Sequence, residues 1–159
     1  MSKSLKRVTR ALQEVGLDIT PLELSADTRT AQQAADAAGC QLDQIAKSVI
    51  FAGLTSGQAI LFITAGGNQV DATKANTAAG EPLGKADAAL IRAQTGFAIG
   101  GVAPVGHLNP IRAFIDPRLL DFDEIFAAAG TPRHIFPINP KDLARISEAQ
   151  PSDFITSSK

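Results

Sequence analysis

The feature that most constrains the fold is a pair of apolar runs separated by four turn-forming residues. Ser48-Val49-Ile50-Phe51-Ala52-Gly53-Leu54 and Ala59-Ile60-Leu61-Phe62-Ile63-Thr64 flank Thr55-Ser56-Gly57-Gln58. Short runs rich in β-branched and aromatic residues, joined by a Gly-containing turn, read as the two strands of a hairpin. Both runs are apolar almost throughout, so the hairpin belongs in the interior.

The rest of the chain supplies helices and further short strands. Leu5, Val8, Leu12 and Val15 recur at helical spacing, and Gly16 is a stop. Lys3, Lys6, Arg7 and Arg10 fall on the opposite face, as a solvated helix surface or, alternatively, a stripe for phosphates. Thr30-Ala31-Gln32-Gln33 has the form of a capping box for an Ala-rich helix ending at Gly39. Leu42 to Lys47 reads as a helical turn leading into the hairpin. Asp71 caps a helix through Ala79, a second helix is expected over 85–95, and Asn139-Pro140 opens the last one. Further strands are expected over 18–24, 97–99, 111–115, 122–127 and 134–138. Strands mixed irregularly with helices predict an α+β fold with a mixed, largely antiparallel sheet.

The 159 residues fit one domain spanning 1–159, with 152–159 as a flexible tail. Apolar residues make up 45% and charged residues 19%, which is ordinary globular usage. With 15 basic and 16 acidic residues the net charge is −1, which argues against indiscriminate nucleic-acid binding but leaves room for recognising one RNA end. The single cysteine, Cys40, allows no internal disulfide, and no run approaches the ~20 apolar residues of a membrane span. The N-terminus has no apolar signal core. A cytoplasmic protein is the expectation, with no DNA and no membrane among its partners.

Several chemistries find no support in the sequence. His107 and His134 with one distant cysteine do not make a zinc site, and no metal or cofactor is expected. There is no Gly-x-Ser-x-Gly elbow, phosphate-binding P-loop or dinucleotide fingerprint. Two segments stand out instead. Lys47 lies at the seam between a helical turn and an apolar strand, either as a snorkelling end residue or as a cation held at a pocket. Gly100-Gly101-Val102-Ala103-Pro104-Val105-Gly106 is either a plain Gly/Pro turn or a loop whose amides approach a substrate carbonyl closely.

Taken together these segments resemble a known family. Gln44 to Phe51 is similar to the lysine strand of the YbaK and prolyl-tRNA-editing proteins, and Gly100 to His107 resembles their Gly-x-x-x-Pro loop. Val70 to Lys74, Thr30-Ala31, Ile115-Asp116 and Ala128-Ala129-Gly130 follow in matching order, so the resemblance covers about residues 5 to 150. It implies a single YbaK-like domain with a barrel-like sheet flanked by helices. It implies an aminoacyl-tRNA deacylase, an ester hydrolase that supports translational fidelity by removing a wrong amino acid from tRNA.

By that resemblance Lys47 fixes the tRNA 3′ end, and Gly100 and Gly101 hold the aminoacyl carbonyl with backbone amides. Ser48, Val102, Ala103, Pro104 and His107 are the implied substrate contacts. The implied partners are the aminoacyl-tRNA acceptor end and prolyl-tRNA synthetase. Ser48 stands where the cysteine-removing branch has Thr, and Ala128 where it often has Ser, which points to a small amino acid such as alanine or serine on tRNA for proline. The rival readings are a tRNA- or synthetase-binding module without turnover and a hydrolase of another small acyl ester.

Overall fold

The computed structural model describes residues 2–25 and 28–156. The hairpin forms as the sequence requires. Strand β2 (Ile45–Gly53) pairs antiparallel with β3 (Ala59–Ala65) along its length, from Ala46 opposite Ala65 to Ala52 opposite Ala59. Every residue of β3 is buried.

Around the hairpin the described residues form five helices and six further strands: α1 (Lys3–Glu14), β1 (Leu22–Glu23), α2 (Ala31–Ala38), α3 (Ala72–Ala79), β4 (Leu83–Lys85), α4 (Ala88–Thr95), β5 (Arg112–Ile115), β6 (Ile125–Thr131), β7 (His134–Ile138), α5 (Pro140–Ser147) and β8 (Gln150–Pro151). They make one sheet of order β1-β7-β6-β2-β3-β5-β8, with β4 as a branch on β2. Four pairings are antiparallel, and β2–β6, β3–β5 and β5–β8 are parallel. The fold is the mixed, largely antiparallel α+β domain the sequence predicts.

Strand alternation sends β3 side chains into two cores. Leu61 and Ile63 join Leu5, Val8 and Leu12 of α1 with Phe97, Phe136 and Leu143 on one face. Ile60 and Phe62 meet Phe114, Phe154 and the small Ala75 and Ala79 of α3 on the other. Phe62 stacks on Phe114 at 5.2 Å and meets the edge of Phe154 at 4.9 Å. Truncating an aromatic buried this way costs ~3–5 kcal/mol. A third cluster seats α2 on Ile45, Phe126 and Ile135.

The predicted caps are present. Asp71 accepts from the Lys74 amide and Asn139 from the Lys141 amide, with Pro140 in the first turn. Thr30 accepts from the Gln33 amide, while Gln33 reaches back to Arg29 rather than to Thr30 itself.

Several expectations need correction. Residues 97–99 form no strand, because the Phe97 amide is taken by the Thr95 hydroxyl and the Ala98 carbonyl by Gly101. The helix expected from Lys85 starts at Ala88, where Asp87 caps it, and Lys85 instead ends β4 opposite Phe51. The strand expected over 122–127 runs over Ile125–Thr131. The expected flexible tail is docked through residue 156. Phe154 is fully buried, its carbonyl accepts from Asp71, and the Thr156 amide donates to Gln69; residues 157–159 lie outside the described residues. Val15, placed on the buried face of α1, is 42% exposed beyond the helix end.

Candidate active site

The site begins as a gap in the sheet. On the edge of β2 away from β3, β6 pairs with residues 45 and 46 and β4 with residues 51 to 53, so no named strand covers residues 47–50. The Gly53 amide donates to Gln58 on the β3 side and the Leu54 amide to Pro82 on the β4 side. Backbone groups alternate along a strand, so the amides and carbonyls of Ser48 and Ile50 face the gap.

A cavity of about 480 Å³ opens there, and Lys47, Ser48, Gly100, Val102, Ala128 and His134 all line it. Arg29 and Lys85 stand in the same wall, and among the described residues no Asp or Glu does. In a chain of net charge −1 this is a locally cationic hollow with mostly apolar walls.

Lys47 is half-buried, and its ammonium donates to the main-chain carbonyl of Asn68 at 2.6 Å. Burial pushes its pKa below the ordinary lysine value, while the carboxylates of Asp116 and Asp43 pull it back up. The Ser48 hydroxyl is buried and has no hydrogen-bond partner, so it is available to a bound group.

The glycine loop divides its residues between jobs. Gly100 lines the cavity with φ +94, and a Cβ there would meet no protein atom. Gly101 does not line the cavity. Its amide donates to Ala98 at 3.2 Å, and a Cβ would press on the Thr131 backbone at 2.9 Å. Ala103 is fully buried in the core.

Pro104 and His107 line a different groove, beside Ala11, Val15 and Ile146. The expected substrate contacts at 103, 104 and 107 are therefore not made from this cavity. His107 instead staples the loop, its Nε2–H donating to the Ala103 carbonyl at 2.7 Å and its ring meeting Phe97 edge-on. Burial lowers the His107 pKa, and the neutral Nε2–H tautomer fits a carbonyl acceptor.

Sequence reasoning left Arg29 and Lys85 out of the site and His134 undecided. All three line the cavity, and His134 Nδ1 lies 2.7 Å from the Thr131 hydroxyl. A cation at a capping box or a strand end carries no local signal of a pocket, because only the pairing of β4 and the docking of α2 bring them there.

The comparison with known families settles the kinship. The model for the aminoacyl-tRNA editing domain matches residues 25–146, which hold both the lysine strand and the glycine loop. The chain belongs to the aminoacyl-tRNA editing domain family. The uncharacterized protein YwhH of Bacillus subtilis (strain 168) is 33% identical over 130 residues, 82% of this chain and 81% of that protein. A solved structure described as a candidate trans-editing enzyme for prolyl tRNA synthetase is 44% identical, with a TM-score of 0.92 over 99% of both chains. A structure from computational epitope backbone grafting on scaffold proteins is 42% identical, with a TM-score of 0.92 over 99% of this chain and 100% of that one. In this editing domain, recognition of tRNA or aminoacyl-tRNA is the family's business, and no described helix is long and apolar enough to cross a membrane.

Proposed function

We propose that this chain is a trans-acting deacylase that hydrolyses misacylated tRNA, with a small wrong amino acid on tRNA for proline as its substrate. The observation that carries this reading is the shared cavity. Lys47 and Gly100 line the same hollow, whose described wall holds Arg29, Lys47 and Lys85 and no described carboxylate. Such a wall suits the phosphates and ribose of an acceptor end. The likeness to a candidate trans-editing enzyme for prolyl tRNA synthetase supports the choice of tRNA.

In this mechanism Lys47, with Arg29 and Lys85, holds the terminal nucleotide by charge. Backbone donors of Gly100 and Val102, the loop residues lining the cavity, meet the ester carbonyl. Water attacks the carbonyl carbon, and the negative charge that develops on its oxygen rests on those donors. The carbon–oxygen bond to the ribose then breaks, and the water's proton passes through the neighbouring ribose hydroxyl to the leaving oxygen. An aminoacyl ester is already activated, so positioning and charge stabilisation suffice without a protein nucleophile. The Ser48 hydroxyl is placed to bond the amino acid. Editing of this kind answers the limits of a binding pocket, where one methylene is worth only ~1–3 kcal/mol.

The test is deacylation across a panel of mischarged tRNAs, with prolyl-tRNA as control. Alanyl- or seryl-tRNA for proline should be hydrolysed, and Lys47→Ala should lose at least about a hundredfold in rate with its circular dichroism unchanged. Binding without turnover by the wild-type chain would reassign it as a tRNA- or synthetase-binding module. Wild-type turnover by Lys47→Ala would remove the lysine from the site.

A further inference from the structure

The group that holds the Lys47 ammonium is a backbone carbonyl, and a carbonyl positions a cation only as well as its own turn is fixed. That turn, Gly66-Gly67-Asn68, follows β3. The Asn68 amide closes it onto the Ala65 carbonyl at 2.9 Å. Two carboxylates from distant parts of the chain then converge on it. Asp43, in the 3-10 turn before β2, accepts from the Gly67 amide at 2.9 Å. Asp116, just after β5, accepts from the Asn68 side-chain amide at 2.8 Å and from the Ala65 amide at 3.1 Å. The other oxygen of Asp116 takes the Arg118 amide at 3.0 Å, and the other oxygen of Asp43 takes Arg118 Nε at 3.0 Å.

Both glycines are pinned as well. A Cβ on Gly66 would collide with the Leu42 carbonyl oxygen, and one on Gly67 would lie 2.5 Å from Asp43 Oδ1.

We propose that Asp116 and Asp43 are positioning residues for this site: acting through the Gly66-Gly67-Asn68 turn, they set where the Lys47 ammonium stands when a substrate arrives. The reaction it serves rests on the function proposed above, whereas the placement of Lys47 does not. Asp116 also caps the 3-10 turn that begins at Pro117, through the Arg118 amide, but that bond uses only one of its oxygens. The other oxygen is committed to the turn beneath Lys47, and Asp116 is only 2% exposed, where a carboxylate costs several kcal/mol unless compensated.

The compensation is a cluster of charges: Lys47 and Arg118 against Asp116 and Asp43, with the exposed Asp121 as a second partner of Arg118. On the protein side Lys47 meets these two carboxylates, with Arg118 paired to Asp43. On the cavity side it faces Arg29, Lys85 and His134. The carboxylates oppose the effect of burial, so they keep the lysine charged as well as placed.

Asn68→Ala and Asp116→Asn test the idea in the full chain. Asn68→Ala removes the amide that reaches Asp116 and leaves the carbonyl in place. Each should lower kcat/KM for misacylated tRNA by roughly tenfold, since small misplacements of a site group cost one to two orders of magnitude. In Asp116→Asn the alkaline limb of the pH–rate profile should move to lower pH, because the ammonium loses a supporting carboxylate; in Asn68→Ala a smaller move in the same direction should follow, because the loosened turn lets the ammonium drift from carboxylates that keep their charge. The 13Cε titration of Lys47, assigned with Lys47→Arg, should move the same way, and this readout needs no turnover. A folded Asn68→Ala with wild-type rate and unmoved Lys47 titration overturns the proposal. If Asp116→Asn fails to fold, Asn68→Ala together with Asp43→Asn decides by the same two readouts. Should the wild-type chain deacylate nothing while the Lys47 titration still moves in the variants, the positioning stands and the proposed reaction falls.

Discussion

The chain has two double-glycine turns at its site, and they spend their missing side chains differently. At Gly66-Gly67 both absent side chains serve packing, letting the turn close on Leu42 and Asp43 so that the next carbonyl meets Lys47. At Gly100-Gly101 only the second does so: Gly101 backs onto the Thr131 main chain, while Gly100 opens on the cavity with a left-handed φ. One turn is a clamp for a side chain and the other is a seat for a substrate. The same dipeptide thus marks rigidity in one place and access in the other.

Substitutions break this comparison in a defined order. Gly101→Val should have the largest effect, because its side chain meets backbone at 2.9 Å and nothing flexible can yield. Overpacking of this sort costs about 1–3 kcal/mol, and the displaced seat should cost roughly a hundredfold in deacylation. A urea titration beside the rate assay checks both, and unchanged turnover would detach the loop from catalysis. Gly66→Ala should come next, at about tenfold in rate, since it disturbs the lysine through its clamp rather than the seat itself. If Gly66→Ala lowers stability but leaves the rate alone, the clamp is only architecture. Gly100→Ala meets no protein atoms, so its stability penalty should be only the ~1 kcal/mol of a left-handed alanine, read as a small fall in urea midpoint, and any fall in turnover beyond that reports the methyl on the substrate's seat.

How much of this was legible in the sequence follows from how local each feature is. The hairpin was readable because Val49 to Phe51 and Ile60 to Ile63 carry their burial in their composition. The caps at Thr30, Asp71 and Asn139 were readable because a cap is a contact over two or three residues. Lys47 drew notice as a charge at an apolar seam. The gap beside residues 47–50 was not readable, since it exists only because β6 and β4 pair with opposite ends of one β2 edge. Asn68 carries no sign that a lysine 21 residues away ends on its carbonyl. The resemblance of the Gly100–His107 loop implied substrate contacts at Pro104 and His107, but these two residues line the other groove.

His107 gives a smaller effect with a definite sign. Burial lowers its folded-state pKa, so the unfolded chain binds the proton more readily. Stability is then complete above the unfolded value of about 6.5 and is lost as pH falls through the window beneath it. Urea midpoints at pH 5 and pH 8 should differ more for the wild type than for His107→Gln. An equal difference would mean that other groups set the acid limb. At pH 8 the loss of the staple to Ala103 should cost only about 1 kcal/mol, because a single neutral hydrogen bond is at stake.

The smallest expected effect concerns the basic face of α1, where four cations looked equivalent. Arg7 has left that set: its guanidinium lies over the Phe97 ring at 4.4 Å, and two of its nitrogens are buried without a partner. Lys3, Lys6 and Arg10 remain exposed. If they meet tRNA phosphates, replacing all three by Gln should flatten the salt dependence of log Kd by about two to three units at most, at ~0.7–0.9 per phosphate. Arg7→Gln should instead lower the urea midpoint and leave the salt slope unchanged, since its half-buried guanidinium is committed to the Phe97 ring. A slope unmoved by the triple change makes the face a solvated helix surface and leaves tRNA binding to Arg29, Lys47 and Lys85. A slope moved by Arg7→Gln would mean that the cation leaves Phe97 when RNA binds, and the ring contact would then belong to the unbound state alone.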